Sequence, residues 1–143
     1  MANQARVVLQ TVEGDGLVFE AQVGHGQRFV MDSAAEPVGP SPVDAMLASL
    51  GGCCGMDVIG VLRKKRQVVT GYEVALEGER SPEHPRRFTR ITIVHRVRGR
   101  NLSPVAIEEA IRLSDTKYCS VYATLAPSVE ITSRYEIVPD GAG

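Results

Sequence analysis

The feature that most constrains this chain is one apolar segment, Gly39 to Leu62, which carries two of its three cysteines. Ser41 suits an N-cap, and Pro42 suits the first helical position. Asp44, three residues after Ser41, makes a capping box with Asp in place of Glu. A helix is therefore predicted from about 42 to 66. At 100° per residue, Val43, Leu47, Leu50, Cys54, Val58 and Val61 fall on one stripe. Arg63, Lys64, Lys65 and Arg66 favour the helix C-terminus electrostatically. Such a helix is roughly 40 Å long, more than a small domain usually needs. It also carries Gly51, Gly52, Gly55 and Gly60, each costing roughly 1 kcal/mol against Ala in a helix interior. Close packing on another backbone offsets that cost, or the helix kinks near Gly51. Either way the segment belongs at the centre of the fold.

The chain has 143 residues, which predicts one domain over 1–143. Its 43% hydrophobic and 23% charged residues are those of an ordinary globular protein, and a net charge of −1 gives no general pull toward nucleic acid or membrane. Apolar runs are interrupted before they reach membrane-spanning length, so no membrane span is expected. The first residues lack the apolar core of a secretory leader, which makes the cytoplasm the expected compartment. Free thiols fit that compartment, and an odd cysteine count argues against a structural disulfide framework. With no Trp and 5% aromatics, a base-stacking surface has little to work with.

Taken in order, residues 5–12, 17–23 and 27–32 read as strands separated by Gly-containing turns. Residues 33–42 form a Pro-rich loop into the long helix. Residues 69–79 and 88–98 are two further strands. In the second, Ile91, Ile93, His95 and Val97 share one face, and Arg90, Arg96 and Arg98 share the other. Ser103-Pro104 repeats the cap-and-proline signal and opens a helix to about Tyr118. A short helix near Ser120 stops at Pro127, and 129–138 is the last strand. The order is βββ-α-ββ-α-β, an α+β pattern.

The cysteines are the candidates for chemistry. Cys54 lies at the centre of the helical stripe and Cys53 at its edge, beside Asp57. A free Cys is often only a small buried hydrophobe, and adjacent helical cysteines cannot reach disulfide geometry. Cys119 precedes a short helix, where the local dipole favours a thiolate, though core packing is the alternative. His25, His84 and His95 have no metal-ligand spacing, and Cys53-Cys54 lacks the C-x-x-C pattern. The arginines at 86, 87, 90, 96, 98 and 100 suggest phosphate binding if unpaired, or a solvated sheet face if paired with acids.

The stretch Gly39 to Cys53, with Lys117-Tyr118-Cys119-Ser120-Val121 downstream, resembles the OsmC/Ohr family of osmotically induced proteins and organic hydroperoxide reductases. The likeness is closest to its YhfA-type subgroup and covers about residues 5–138. It implies an OsmC-like fold: an antiparallel sheet wrapped around a long central helix, in an intertwined homodimer. It implies a thiol-dependent peroxidase acting on organic hydroperoxides or hydrogen peroxide. Cys53 would be the peroxidatic thiol and Cys119 the resolving one. An external dithiol would restore the pair, without metal or flavin cofactor. Neither nucleic acid nor membrane is an expected partner.

The family's reductases place a Glu after the helix-opening Pro, where this chain has Val43. Asp44 follows and is a candidate for the missing carboxylate, with capping as its other role. Arg28 is the nearest positional candidate for the family's hairpin Arg. The departure at Val43 supports a second reading, a non-catalytic ligand-binding or redox-sensing member of the family.

Overall fold

The computed structural model describes residues 2–140. The chain divides into two compact units, Met1–Met46 and Leu47–Gly143.

In the first unit, β1 (Ala5–Leu9), β2 (Phe19–Val23) and β3 (Gln27–Met31) form an antiparallel sheet in that order. The strands match the three predicted runs, trimmed at their ends. Gly24 (φ 54°) and Gly26 (φ 99°) adopt the left-handed conformation that the β2–β3 turn requires. Buried Asp32 organises the loop that follows. Its Oδ1 accepts from the Ala34 N–H at 3.1 Å and its Oδ2 from the Val38 N–H at 3.2 Å. Every residue of β1 is exposed, including Val7, Val8 and Leu9.

The long helix α1 spans Pro42–Lys64. Ser41 caps it, with Oγ accepting from the Asp44 N–H at 3.1 Å. It stops two residues before the predicted end, because Arg66 turns left-handed (φ 56°). The Arg66 and Gln67 N–H groups then bond back to the Arg63 and Leu62 carbonyls, closing a Schellman motif.

The second unit holds β4 (Val68–Arg80), β5 (Phe88–Arg100) and β6 (Glu130–Pro139), in that sheet order. β4 and β5 are antiparallel, whereas β6 runs parallel to β5. The sheet is therefore mixed, because a helical crossover separates its last two strands. That crossover contains α2 (Pro104–Leu113), a π turn (Ser114–Tyr118) and α3 (Ser120–Leu125). Ser103 caps α2 as the sequence indicates, accepting from the Ala106 N–H at 3.2 Å.

Leu50, Cys54, Val58 and Leu62 of α1 are fully buried, as are Ile91, Ile93, His95 and Val97 of β5. By length and composition alone α1 is long and apolar enough to cross a membrane; one face of it, Leu50, Cys54, Val58 and Leu62, is buried within the fold. Its glycines divide into two pairs. A Cβ on Gly51 would meet Leu76 Cδ1 at 2.5 Å, and one on Gly55 would meet Tyr72 and Val74 at 3.3 Å, so β4 occupies the space a side chain would need. Gly52 and Gly60 have nothing within 4 Å. Close packing is thus found at Gly51 and Gly55, but against side chains of β4 rather than against another backbone as expected.

Candidate functional site

The π turn shapes the site. The Cys119 N–H donates to the Ser114 carbonyl at 2.9 Å, the five-residue bond that widens the backbone at the end of α2. The next residue leaves the helix with an extended backbone, making Cys119 the N-cap of α3. Its sulfur plays the part that a Ser or Asp oxygen usually plays, accepting from the Tyr122 N–H at 3.3 Å.

Cys119 is thereby brought to the middle of α1, where Cys53 is half-buried and Cys54 fully buried. The 100° step between helical neighbours separates them, Cys54 facing the core and Cys53 its margin. The Cys54 and Cys119 sulfurs are 3.6 Å apart, with Cys54 donating to Cys119. Asp57, one helical turn after Cys53, shares its face. Cys53 Sγ, Cys119 Sγ and an Asp57 carboxylate oxygen all lie within 4.8 Å of one another. Ser114 Oγ donates to Asp57 Oδ2 at 3.1 Å, so the residue that opens the π turn also holds the carboxylate.

The thiols are unequal. Burial pushes Cys54 far above the ordinary thiol range, and the neighbouring Cys119 adds to this. Burial also raises Cys119, as does its hydrogen bond with Cys53, while the Tyr122 N–H acts the other way. Donation from Cys54 to Cys119 and from Cys119 to Cys53 directs the thiol hydrogens toward the most accessible sulfur. Cys119 thus stands within reach of the Cys53 sulfur, the geometry that a second thiol needs to condense with an oxidised one. Two sulfurs and one carboxylate oxygen could also hold a thiophilic divalent cation such as Zn²⁺.

Of the residues singled out in the sequence, Cys53 and Cys119 meet here. Asp44 lies in the exposed first turn of α1, where its backbone N–H bonds the cap. Arg28 faces Glu20 across the β2–β3 pair at 3.5 Å. Asp57, Ser114 and Tyr122 join the two cysteines. Asp57 stands at i, i+4 from Cys53, a spacing visible in the sequence, whereas Ser114 and Tyr122 carry no local signal.

A second polar pair lies in the core beside α1. Tyr72 Oη and His95 Nδ1 are 2.6 Å apart, with their rings stacked at 6.0 Å. His95 Nε2 is buried without a hydrogen-bond partner, so this core histidine is only half satisfied. Burial lowers its pKa to about 4, and burial raises that of Tyr72. Tyr72 also lines a groove of 810 Å³ with Leu76, Gly52, Met56 and Gly60. The strand arginines pair with acids: Arg90 with Glu130 (3.1 Å), Arg96 with Glu73 (2.7 Å) and Glu136 (3.0 Å), and Arg100 with Asp140 (3.3 Å). Arg87 and Arg98 donate instead to backbone carbonyls, of Ser128 and Pro139.

Comparison with known proteins gives a consistent assignment. The family model described as OsmC-like protein matches residues 33–134. Protein YhfA of Escherichia coli K12 is 41% identical over 124 residues, covering 87% of this chain and 92% of that protein. Among solved structures, an OsmC-like protein from Mycoplasma pneumoniae superposes with a TM-score of 0.81 at 17% identity, over 96% of this chain and 98% of that one. The organic hydroperoxide resistance protein OhrB of Bacillus subtilis superposes with a TM-score of 0.62 at 12% identity, over 95% and 98%. At such identities the two structures establish a shared OsmC-like α+β fold.

Proposed function

Since the chain belongs to the OsmC-like protein family, a family with hydroperoxide resistance proteins among its structural neighbours, we propose that it is a thiol-dependent peroxidase with a role in oxidative stress defence. The observation that carries this reading is the approach of Cys53 and Cys119, 66 residues apart in sequence, to within 4.8 Å of each other and of Asp57.

In the proposed cycle Asp57 accepts the Cys53 thiol proton. The Cys53 sulfur attacks the distal oxygen of an organic hydroperoxide or hydrogen peroxide. The S–O bond forms as the O–O bond breaks, and the alcohol or water leaves with a proton. Cys119 then attacks the sulfenic sulfur; the S–S bond forms and water departs. An external dithiol reduces the disulfide by exchange, completing a two-electron cycle. The chain's own residues suffice for every step but the last. Asp57 takes the place of the family carboxylate missing at Val43, while Asp44 serves the cap and the helix dipole. Ser114 fixes Asp57, and the Tyr122 N–H favours the thiolate form of Cys119.

The proposal extends to a cytoplasmic homodimer. Met56 is 80% exposed at the centre of an open stripe with Gly52 and Gly60, and β1 presents exposed Val7, Val8 and Leu9. Both are faces that a second copy would cover, in keeping with the intertwined architecture that the family resemblance implies. The alternative, a redox-sensing member without turnover, draws on Val43 standing where the family has Glu.

Peroxide consumption with a dithiol reductant separates these readings. Wild type should turn over, Cys53→Ser should not, and Cys119→Ser should turn over only as fast as the dithiol itself reduces the Cys53 sulfenic acid. No turnover by wild type with any peroxide would overturn the enzyme reading in favour of the sensor.

A further inference from the structure

The peroxidase reading leaves Cys54 without a role, yet its sulfur lies 3.6 Å from that of Cys119, with neither residue more than 4% exposed. Cys119 therefore has two thiols within reach, on adjacent residues of α1. Cys53 opens toward solvent, and Cys54 is sealed in the core. The impossibility of a bridge between Cys53 and Cys54 themselves leaves Cys119 as the obligatory member of any disulfide in this trio.

We propose that Cys119 is a shared partner, and that an initial Cys53–Cys119 disulfide is converted by internal exchange into a buried Cys54–Cys119 disulfide that holds the protein in a slowly reduced resting state. The inference rests on the peroxidase reading only for the identity of the physiological oxidant. Peroxide removes two electrons when the first bridge forms. In the exchange, the Cys54 sulfur attacks Cys119 Sγ. The new S–S bond forms as the Cys119–Cys53 bond breaks, and the Cys53 sulfur leaves with the electron pair. The Cys54 proton ends on Cys53. No further oxidant or reductant is consumed.

Two features set the character of this exchange. The attacking thiol is fully buried, whereas Cys53 is accessible, so conversion is slow beside formation of the first bridge. The product has both sulfurs in the core, where an external dithiol meets them only through local opening of the helix pair. Cys53 is returned to the reduced state without its resolving partner, leaving it open to oxidation beyond sulfenic acid. The device thus protects Cys119 at the cost of turnover, and would make recovery after a heavy oxidant load slower than recovery after a light one.

Disulfide mapping tests this directly. Cys53→Ser is treated with diamide, a two-electron thiol oxidant that needs no peroxidase activity, and its free thiols are alkylated before digestion. A Cys54–Cys119 linkage is expected in at least half of the protein. Cys53→Ala serves as the second variant should the serine variant fold poorly. Wild type is oxidised with one equivalent of diamide and sampled over time, with fragmentation between residues 53 and 54 assigning the link. Early samples should carry Cys53–Cys119, and late samples Cys54–Cys119 with an alkylated Cys53. Free Cys54 and Cys119 in both Cys53 variants, under conditions that link Cys53 to Cys119 in Cys54→Ala, would overturn the proposal; so would a wild-type linkage that stays at Cys53. If wild type fails to consume peroxide while the diamide samples follow the expected course, the exchange stands and the peroxidase reading falls.

Discussion

Ser114 Oγ donates to Asp57 Oδ2 at 3.1 Å, tying the first residue of the π turn to the carboxylate one helical turn after Cys53. The same turn delivers Cys119, through the bond from its N–H to the Ser114 carbonyl. One backbone irregularity thus sets both the Cys119 thiol and the Asp57 carboxylate beside Cys53.

If Asp57 receives the Cys53 proton, Asp57→Asn should lower kcat/KM for peroxide about 100-fold, the lower range for general acid–base groups. Ser114→Ala should lower it several-fold. The diagnostic readout is rescue by a second carboxylate: Asp57→Glu should recover part of the rate that Asp57→Asn loses. Equal loss in both variants would mean that Asp57 is only structural.

The three donors that meet at this site should also make it sensitive to soft metals. Zn²⁺ is expected to inhibit by occupying Cys53, Cys119 and Asp57, and EDTA should restore activity fully. EDTA alone should leave turnover unchanged. Asp57→Asn should raise the Zn²⁺ concentration for half-inhibition. Loss of activity on chelation would contradict the metal-free cycle.

A buried, half-satisfied histidine predicts acid sensitivity. His95 is held near pKa 4 in the folded chain, against 6.5 when exposed. Between these values the unfolded state binds more protons, so stability falls as pH drops from about 6.5 to 4 and levels off below. The slope approaches 1.4 kcal/mol per pH unit for one proton. Asp115, whose buried carboxyl is raised, works the other way over part of that window. The His95 contribution is therefore read as the difference between wild type and His95→Gln in urea midpoints from pH 7 to 4. A variant with the wild-type slope would exclude His95 as the cause.

Met56 is 80% exposed in the middle of a helix. If a second copy covers this face, Met56→Glu should shift a dimer toward monomer in sedimentation velocity, with little loss of helix by circular dichroism. A wild-type monomer at all concentrations, or a variant dimer as tight as wild type, would contradict the homodimer.

Much of the fold was legible because its signals are local. Ser41-Pro42 and Ser103-Pro104 start helices where they were predicted to, and the helical stripe separates buried Cys54 from half-buried Cys53. The alternation of β5 correctly placed His95 in the core. What escaped was tertiary. The helix predicted through Tyr118 ends at Leu113, because the π turn depends on a bond between Cys119 and Ser114 that no spacing announces. β6 pairs parallel to β5 because of the helical crossover before it, a consequence of topology rather than of strand pattern. Asp57 was visible as a neighbour of Cys53, but its approach to Cys119 and Ser114 requires α1 and the π turn to be packed together. Asp44 drew attention through a motif, and Asp57 gains its importance through space.

The central claim is that Cys53 is the sulfur oxidised by peroxide and Cys119 the one that resolves it. Intact-protein mass after one equivalent of an organic hydroperoxide, with dimedone present to trap sulfenic acid, tests it most directly. The account predicts a single dimedone adduct on Cys53 in Cys119→Ser, no adduct in Cys53→Ser, and a disulfide in place of the adduct in wild type. An adduct on Cys54 or Cys119, or no oxidation of Cys53 in any form of the protein, would contradict it.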